Sequence, residues 1–269
     1  MPGRLENKIA IITGSSSGIG RATALAFARE GATVVCSDIR EEARDEQSEN
    51  SQLTTVQELE KLGAKCAFVK CDTSQAKDVE ALVKKAVEVY GRLDIMMNNA
   101  GIACEGGAPT AIWDYPEDWW DKTMAVNQKG VFLGTKYASL QMKDQEPHAS
   151  GDRGWIINVA SVLGLGGTPG SVGYVSSKHG VMGITRTAAW DCGKHRIHVN
   201  ALCPGYTATS MTKVLLDNTD INARLSDMHP LKGLGNAEDL ARAAVFLASE
   251  DASWVSGIAL PVDGGYSCV

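Results

Sequence analysis

The sequence predicts an α/β fold, in which a doubly wound, seven-stranded parallel sheet carries helices on both faces. Two observations support this prediction. Short apolar segments of strand-like composition alternate with helix-like segments along all 269 residues. A turn that contains three glycines joins the first apolar segment to the first helix, as expected where a buried strand passes directly into a covering helix.

Composition limits the class of protein. Of the 269 residues, 44% are hydrophobic, which is enough to bury a sizeable core. The length allows one domain or two, but no linker, repeat or low-complexity tract divides the chain, so we expect one domain over 1–269.

The net charge of -6, without a strongly basic cluster, argues against nucleic acid or an anionic membrane as a partner. The start has no apolar signal core, and no run of about 18 apolar residues occurs, which predicts a cytoplasmic location.

The seven cysteines predict reduced thiols in a cytosolic setting, because their number is odd and none forms a CxxC pair. Metal binding is the other use that cysteine suggests. Cys192, His195 and His198 lie close together in sequence, but no fourth ligand is nearby, so we expect no bound metal.

The first strand and the first helix enclose the glycine turn. Residues 8–13 form an apolar strand and residues 21–30 an alanine-rich helix, and Gly14, Gly18 and Gly20 lie between them. Glycines leave backbone amides uncovered where the positive end of the helix points, so a pyrophosphate can approach closely. This predicts a dinucleotide site, although the same glycines could serve the turn alone.

Asp38 follows the second predicted strand, residues 32–37, where the first crossover returns to the sheet. A carboxylate there can accept hydrogen bonds from both ribose hydroxyls of an adenosine and would repel a 2'-phosphate, which favours NAD over NADP. Arg40 favours NADP instead, because a guanidinium could bind that phosphate. Asp38 could also be an ordinary acid at the end of a strand. The polar stretch 40–50 is predicted to be a solvated loop or an exposed helical turn.

Two further strands are predicted to deliver polar or small residues to the same edge of the sheet. Residues 65–71 precede Asp72, which either holds the adenine amino group or caps the helix that begins near Ser74. Residues 93–97 precede a run that leaves room for a ribose, namely Asn98, Asn99, Ala100 and Gly101.

Tyr174 and Lys178 are four residues apart and therefore share one face of a helix, one turn apart. At an effective dielectric of about 20, a unit charge roughly 4 Å away lowers the pKa of a phenol by up to ~3 units before burial subtracts its share. Such a tyrosine would suit proton exchange with an alcohol or a ketone. The same pair is common on solvated helix faces, so the spacing alone does not establish a site.

Two more polar residues follow or interrupt predicted elements. Ser161 stands at the exit of a fifth strand, 155–160. Asn127 lies inside a long predicted helix, 117–143, where an amide more often bonds a neighbouring turn than reacts.

The segment at about 206–234 is predicted to be a lid. It follows Pro204 and Gly205, and its spaced apolar residues give it one apolar face, as expected of a segment that closes over an apolar substrate. These residues are Met211, Val214, Leu215, Leu216, Ile221, Leu225, Met228 and Leu231. An amphipathic helix packed on the core or on another subunit would show the same pattern. Residues 258–262 then form the last strand.

Along almost its whole length the chain resembles the short-chain dehydrogenase/reductase family, in its main single-domain branch. The resemblance rests on four motifs in the family's order: the cofactor turn at Thr13, Gly14, Gly18, Ile19 and Gly20; the sheet-stabilising run Asn98, Asn99, Ala100 and Gly101; the tetrad Asn127, Ser161, Tyr174 and Lys178; and the turn at Pro204 and Gly205. It implies a Rossmann-type fold, a nicotinamide cofactor and a small-molecule substrate. It also implies a homotetramer, or a homodimer, built on the two long helices around Asn127 and Tyr174.

The resemblance assigns roles to these residues. Tyr174 is the general acid/base, and Lys178 lowers its pKa and bonds the nicotinamide ribose. Ser161 holds the reacting oxygen, and Asn127 keeps a water beside the lysine. The expected cofactor contacts are Gly14, Ser16, Ser17, Gly18, Ile19, Gly20, Asp38, Ile39, Asp72, Thr73, Asn99, Ala100, Gly101, Tyr174, Lys178, Pro204, Gly205, Thr207 and Thr209.

The leading expectation is an oxidoreductase that transfers hydride between NAD(H) and a secondary alcohol or ketone of a mostly apolar molecule. An NADPH-dependent biosynthetic ketoreductase would share every reaction residue and differ in how Asp38 and Arg40 are used. The remaining alternative is a non-catalytic nucleotide-binding protein on the same fold. The intact set of Ser161, Tyr174 and Lys178 argues against it.

Overall fold

The computed structural model describes residues 3–42, 53–106, 108–231 and 233–268. Its strands are β1 (Ile9–Thr13), β2 (Thr33–Asp38), β3 (Cys66–Lys70), β4 (Ile95–Asn98), β5 (Gly154–Val159), β6 (Ile197–Pro204) and β7 (Ala259–Val262). They form one sheet in the order β3-β2-β1-β4-β5-β6-β7, and every pair of neighbours is parallel. The predicted seven-stranded parallel sheet is confirmed.

Helices cover both faces of this sheet. They are α1 (Gly18–Arg29), α2 (Thr55–Lys61), α3 (Ala76–Tyr90), α4 (Glu117–Thr123), α5 (Gly130–Met142), α6 (Val172–Gly193), α7 (Lys213–Leu216), α8 (Thr219–Asp227) and α9 (Ala237–Leu247). Because side chains alternate across a strand, neighbouring residues of β1 serve opposite layers. Ile12 packs with Phe27 of α1 and Leu240 of α9. Ile11 packs with Leu82 of α3 and Met142 of α5.

A polar ladder crosses the centre of the sheet. Asn98 of β4 donates to the Asn158 side chain of β5 at 2.8 Å, and Asn158 donates to the Thr185 hydroxyl of α6 at 3.0 Å. These buried amides tie the two strands to the helix that carries Tyr174. Gly134 of α5 makes room for the ladder, since a Cβ there would lie 1.8 Å from the Asn98 amide oxygen.

Element boundaries differ from the predicted ones by a few residues. Strand β4 starts two residues later than the predicted 93–97 and includes Asn98. The long helix predicted over 117–143 is divided into α4, a π-helical turn at Met124–Lys129, and α5. Of the polar stretch predicted at 40–50, residues 43–50 lie outside the described residues.

The structure describes the state of the cysteines and the character of the helices. All seven cysteines are free thiols, of which Cys36, Cys71, Cys192 and Cys203 are buried. Among the helices of the described ranges, none combines the length and apolar character needed to cross a membrane.

Candidate active site

A cavity of about 640 Å³ opens at the carboxyl ends of the central strands. The strand order reverses between β1 and β4, which leaves a crevice where ligands bind in such sheets. Most of the predicted site residues line it: Gly14, Ser17, Gly18, Ile19, Asp38, Ile39, Asp72, Thr73, Asn99, Ala100, Gly101, Ser161, Tyr174, Lys178, Pro204, Gly205, Thr207 and Thr209. The structure therefore brings together residues from seven separate parts of the chain.

The glycine turn is shaped by backbone conformation and close packing. Gly14 and Gly18 have φ angles of 66° and 51°, in the left-handed region that favours glycine. A Cβ on Gly18 would lie 3.3 Å from the Thr209 side chain, which places Thr209 directly at the turn. Gly20 does not line the cavity. A Cβ on Gly20 would lie 2.2 Å from the carbonyl oxygen of Gly14, so Gly20 allows α1 to pack beneath the turn.

Asp38 is held in the cavity wall by backbone amides. Its Oδ1 accepts from the N–H of Ile39 at 2.8 Å, and its Oδ2 accepts from the N–H of Ser16 at 3.3 Å. The Ser16 hydroxyl donates to the carbonyl of Arg40 at 2.7 Å. Ser16 is itself buried behind the wall, so among the predicted contacts it supports Asp38 rather than facing the cavity.

Asp72 bonds the turn before α3 rather than capping that helix, and its contact with adenine stays a prediction. Its Oδ1 accepts from the N–H of Ser74 at 2.9 Å, which turns the chain toward α3. It also lines the cavity beside Thr73. Helix α3 itself begins at Ala76.

Three of the predicted reaction residues meet at one wall of the cavity. The Lys178 ammonium donates to the carbonyl of Val159 at 2.9 Å and lies 5.5 Å from the centre of the Tyr174 ring. The Ser161 hydroxyl accepts from the N–H of Leu163 at 3.1 Å, which fixes Ser161 at the end of β5.

The electrostatics of this wall differ from the predicted tuning. Burial raises the pKa of Tyr174 to about 12, the Ser161 hydroxyl acts in the lowering direction, and the Glu105 carboxylate raises it further. Burial also lowers the pKa of Lys178 to about 8. The expected lowering of the phenol pKa by the ammonium is therefore outweighed, because desolvation disfavours the charged form of both groups.

Asn127 lies in the π-helical turn and is fully buried. Its side chain accepts from the N–H of Ile102 and donates to the carbonyl of the same residue, both at 2.8 Å. It also donates to the Ser177 hydroxyl at 3.2 Å. Gly101 separates it from the ammonium, since a Cβ there would lie 3.4 Å from the amide oxygen and 3.7 Å from Lys178 Nζ.

Several residues of the site are not among the predicted cofactor contacts, although the sequence places Thr13 in the cofactor turn and Met211 in the predicted lid. Glu105 accepts from the backbone N–H of Tyr174 at 2.9 Å although 69 positions separate them. Thr13 accepts at its hydroxyl from the N–H groups of Asn99 and Ala100 at 3.0 and 3.1 Å, which joins β1 to the turn after β4. The cavity is also lined by Cys71, Ser74, Ile102, Ala103, Val126, Ser210, Met211 and Thr212.

The segment 206–231 begins at the cavity wall and forms two short helices, α7 and α8. The Thr212 hydroxyl donates to the carbonyl of Thr207 at 2.6 Å, which anchors its first turn. Leu225 is buried, whereas Met211, Val214, Ile221, Met228 and Leu231 are exposed. Most of these apolar side chains are therefore uncovered in the single chain, and the lid stays a prediction.

The structure also bears on metal binding. His198 bonds the Asp152 carboxylate at 3.0 Å, in the buried part of β6. Within the described ranges no group of three or more His, Cys, Asp or Glu side chains is arranged to hold a metal ion.

Comparison with known proteins gives one family throughout. A family model described as enoyl-(acyl carrier protein) reductase matches residues 14–267. The mitochondrial borneol dehydrogenase of Lavandula x intermedia is 43% identical over 273 residues, which cover 98% of this chain and 92% of that protein. The crystal structure of levodione reductase superposes with a TM-score of 0.84 at 32% identity, covering 99% of this chain and 100% of the other.

A second solved structure carries the family's name. It is a short-chain type dehydrogenase/reductase from Mycobacterium marinum, with a TM-score of 0.86 and 30% identity over 98% of this chain and 97% of the other. The identities and the nearly complete coverage agree with the fold and with the order of the motifs along the chain. The chain therefore belongs to the short-chain dehydrogenase/reductase family.

Proposed function

We propose that this protein is an NAD(H)-dependent oxidoreductase that interconverts a secondary alcohol and a ketone of a mostly apolar molecule. One observation carries the proposal: Ser161, Tyr174 and Lys178 meet at one wall of a cavity that also contains the glycine turn and Asp38. Such a reaction requires a proton-transfer group and a binding site for the dinucleotide in one cavity.

The residues of the cavity fit a nicotinamide dinucleotide, which the family uses in the form of NAD or NADP. Left-handed Gly14 and Gly18 leave space over the start of α1, where the helix dipole favours a pyrophosphate. Asp38 offers a carboxylate to the adenosine ribose. When bound, the cofactor gives up or takes up the hydride.

The side chains of this chain handle the proton and the reacting oxygen. Tyr174 gives a proton to the oxygen in reduction and takes one from it in oxidation. Ser161, fixed at the end of β5, holds the same oxygen by a hydrogen bond. Lys178 is held by Val159 beside the phenol and supplies positive charge to it below about pH 8.

Asn127 does not line the cavity, and its role is to hold the structure around Lys178 in place. Its three hydrogen bonds to Ile102 and Ser177 hold the loop after β4 against α6. We propose that this contact holds Gly101 at a fixed distance from Lys178. We also propose that a water beside the lysine carries the proton toward solvent.

The substrate end of the cavity is apolar. Ile102, Ala103 and Met211 line it, and the exposed apolar residues of 206–231 lie next to it. We propose that this segment closes over the substrate. Borneol and levodione, named by two of the similar proteins, make alicyclic alcohols and ketones rational first probes.

The alternative is an NADPH-dependent ketoreductase acting on an acyl carrier substrate. A similar protein, the 3-oxoacyl-[acyl-carrier-protein] reductase of Thermotoga maritima, is 38% identical over 262 residues and favours it. Exposed Arg40, two residues after Asp38, favours it as well. Both proposals share the reaction residues, so the cofactor decides between them.

A substrate screen tests the proposal directly. Borneol, menthol and cyclohexanol are offered with NAD and with NADP, and the corresponding ketones with the reduced cofactors, while absorbance of the reduced nicotinamide is followed. We expect turnover with NAD, and a fall of at least about 100-fold in kcat in Tyr174→Phe with nearly unchanged NAD binding. Retention of more than about a tenth of wild-type kcat by the variant would exclude Tyr174 as the acid/base.

We also propose that copies of the chain associate through α5 and α6. Phe132 and Leu140 of α5 are 48% and 55% exposed in the single chain, which suits an interface between helices. Sedimentation tests this: a stable monomer at micromolar concentration would exclude a homotetramer or homodimer.

A further inference from the structure

Glu105 is a buried carboxylate that the proposed reaction does not use. It lies in the loop after β4 and is 4% exposed. Its Oε1 accepts a hydrogen bond from the backbone N–H of Tyr174 at 2.9 Å. Tyr174 is the third residue of α6, so its N–H is one of the amides for which the helix has no acceptor of its own. Ser171, at the start of the helix, provides no side-chain cap. Glu105 therefore caps α6 from a distant loop.

The second oxygen of Glu105 is also informative. No described group bonds it with hydrogen-bond geometry, and the buried hydroxyl of Tyr115 is likewise without a partner. Tyr115 lies against the start of α6, since a Cβ on Gly173 would be 2.2 Å from its hydroxyl oxygen. Burial first, and then the Glu105 carboxylate, raise the pKa of Tyr115 to about 12, which places the two groups close together. The carboxylate therefore lies between the Tyr115 hydroxyl and the first turn of α6, where it contacts both.

The carboxylate also acts on the phenol of Tyr174. The titratable and charged groups that face this phenol are Lys178 from the same helix, Glu105 from the loop after β4 and Tyr206 from the segment after β6. Within this set Glu105 is the carboxylate, and it opposes the positive charge of Lys178. A negative charge nearby keeps a phenol protonated to higher pH.

We propose that Glu105 is a positioning residue for Tyr174, whose carboxylate fixes the start of α6 and thereby sets the surroundings in which the phenol exchanges its proton. This inference rests on the proposed role of Tyr174 as the general acid/base. Because the phenol stays protonated to higher pH, the arrangement favours proton donation to a carbonyl, which is the reductive direction.

Amide hydrogen exchange tests the clamp without any substrate. Glu105→Gln keeps an acceptor oxygen, whereas Glu105→Ala removes it. We expect the Tyr174 amide to exchange at least about tenfold faster in the Ala variant than in wild type, and at a near wild-type rate in the Gln variant. If the Ala variant does not fold, Glu105→Asp, one methylene shorter, takes its place with the same expectation. Equal exchange in wild type and in the shortened variant would overturn the clamp.

The pH dependence of kcat/KM tests the charge. With cyclohexanol and saturating NAD, the rise in oxidation rate should move to lower pH by at least about half a unit in Glu105→Gln. Glu117→Gln is the matched control, since it removes an exposed carboxylate from the first turn of α4, and its profile should coincide with that of wild type. A Glu105→Gln profile that coincides with wild type would overturn the role of the charge.

Tyr174→Phe separates this inference from the proposed function. If that variant is inactive and Glu105→Gln is unshifted, the acid/base role stands and the role of Glu105 is wrong. If that variant remains active, the acid/base role is wrong, and the hydrogen-exchange result alone decides whether Glu105 holds α6.

Discussion

Replacing Asp38 tests how this chain chooses between NAD and NADP. The carboxylate is oriented in the cavity wall by the N–H groups of Ile39 and Ser16, at 2.8 and 3.3 Å. A ribose with both hydroxyls free can donate two charge-assisted hydrogen bonds to it, each worth about 1.5 to 3 kcal/mol. Asp38→Ala should therefore lower kcat/KM for NAD by at least about 100-fold, since about 1.4 kcal/mol corresponds to a factor of ten.

The same substitution should improve the use of NADP. At an effective dielectric of about 20, a unit charge roughly 4 Å from the carboxylate is repelled by about 4 kcal/mol, and salt reduces this at the partly exposed site. Without the carboxylate, exposed Arg40 can bind the 2'-phosphate as a bidentate donor. We expect kcat/KM for NADP to rise by at least about tenfold, so the ratio of the two efficiencies should change by about a thousandfold.

Initial rates of nicotinamide reduction, measured with each cofactor at saturating alcohol, give the two efficiencies. Glu42→Gln is the control, because this exposed carboxylate lies four positions later and does not line the cavity. Three results would refute the reasoning: a wild type that already prefers NADP, an unchanged ratio in Asp38→Ala, or an equal change in Glu42→Gln.

Three further substitutions have defined outcomes. Lys178→Met should weaken NAD binding and slow oxidation most below about pH 8, where the wild-type ammonium is charged one helical turn from Tyr174; an equal loss of rate above and below pH 8 would count against this. Burial lowers the pKa of Lys8 to about 8 from its ordinary 10.5, so the unfolded chain binds more protons between these values. The stability of wild type relative to Lys8→Met should therefore rise with pH over that range, by about 2 to 3 kcal/mol in urea unfolding, and a constant difference would contradict it. Gly134→Ala should lower the free energy of unfolding by about 2 to 3 kcal/mol, because its methyl group would lie 1.8 Å from a buried amide oxygen of β4. Its control, Gly183→Ala, has open space around the new methyl group and should be neutral or stabilising by up to about 1 kcal/mol in the same experiment.

The parts of the fold that short-range spacing determines were predictable from the sequence. A buried strand, a glycine turn and a helix must follow one another within a few residues, and Gly14 and Gly18 indeed have left-handed backbones. Residues after parallel strands share one edge of the sheet, so Asp38, Asn99 and Ser161 could be placed at a common site before their contacts were known. The cavity brings these residues together.

What the sequence could not provide depends on three-dimensional packing. Glu105 meets Tyr174 across 69 positions, and no local pattern marks such a pair. The predicted tuning of the phenol considered the charge of Lys178 at close range, whereas the structure places the ammonium 5.5 Å from the ring centre in a buried wall. Desolvation, which depends on every neighbouring element, then determines the direction of the pKa shift. The π-helical turn around Asn127 was not predicted either, since the sequence indicated one helix over 117–143.

The residues around the cavity differ in burial, and this difference determines which of them can be exchanged during evolution without loss of stability. All six residues of β5 are buried, and truncating a large buried side chain costs about 2 to 5 kcal/mol, a large share of the stability of a domain. Val214 and Leu231, in the predicted lid, are 61% and 83% exposed, and exchanging such side chains usually changes stability by about 0.5 kcal/mol or less. Selection can therefore exchange residues of 206–231 through many single, stability-neutral steps, whereas Ser161, fixed at the end of β5, cannot be moved without disturbing the core.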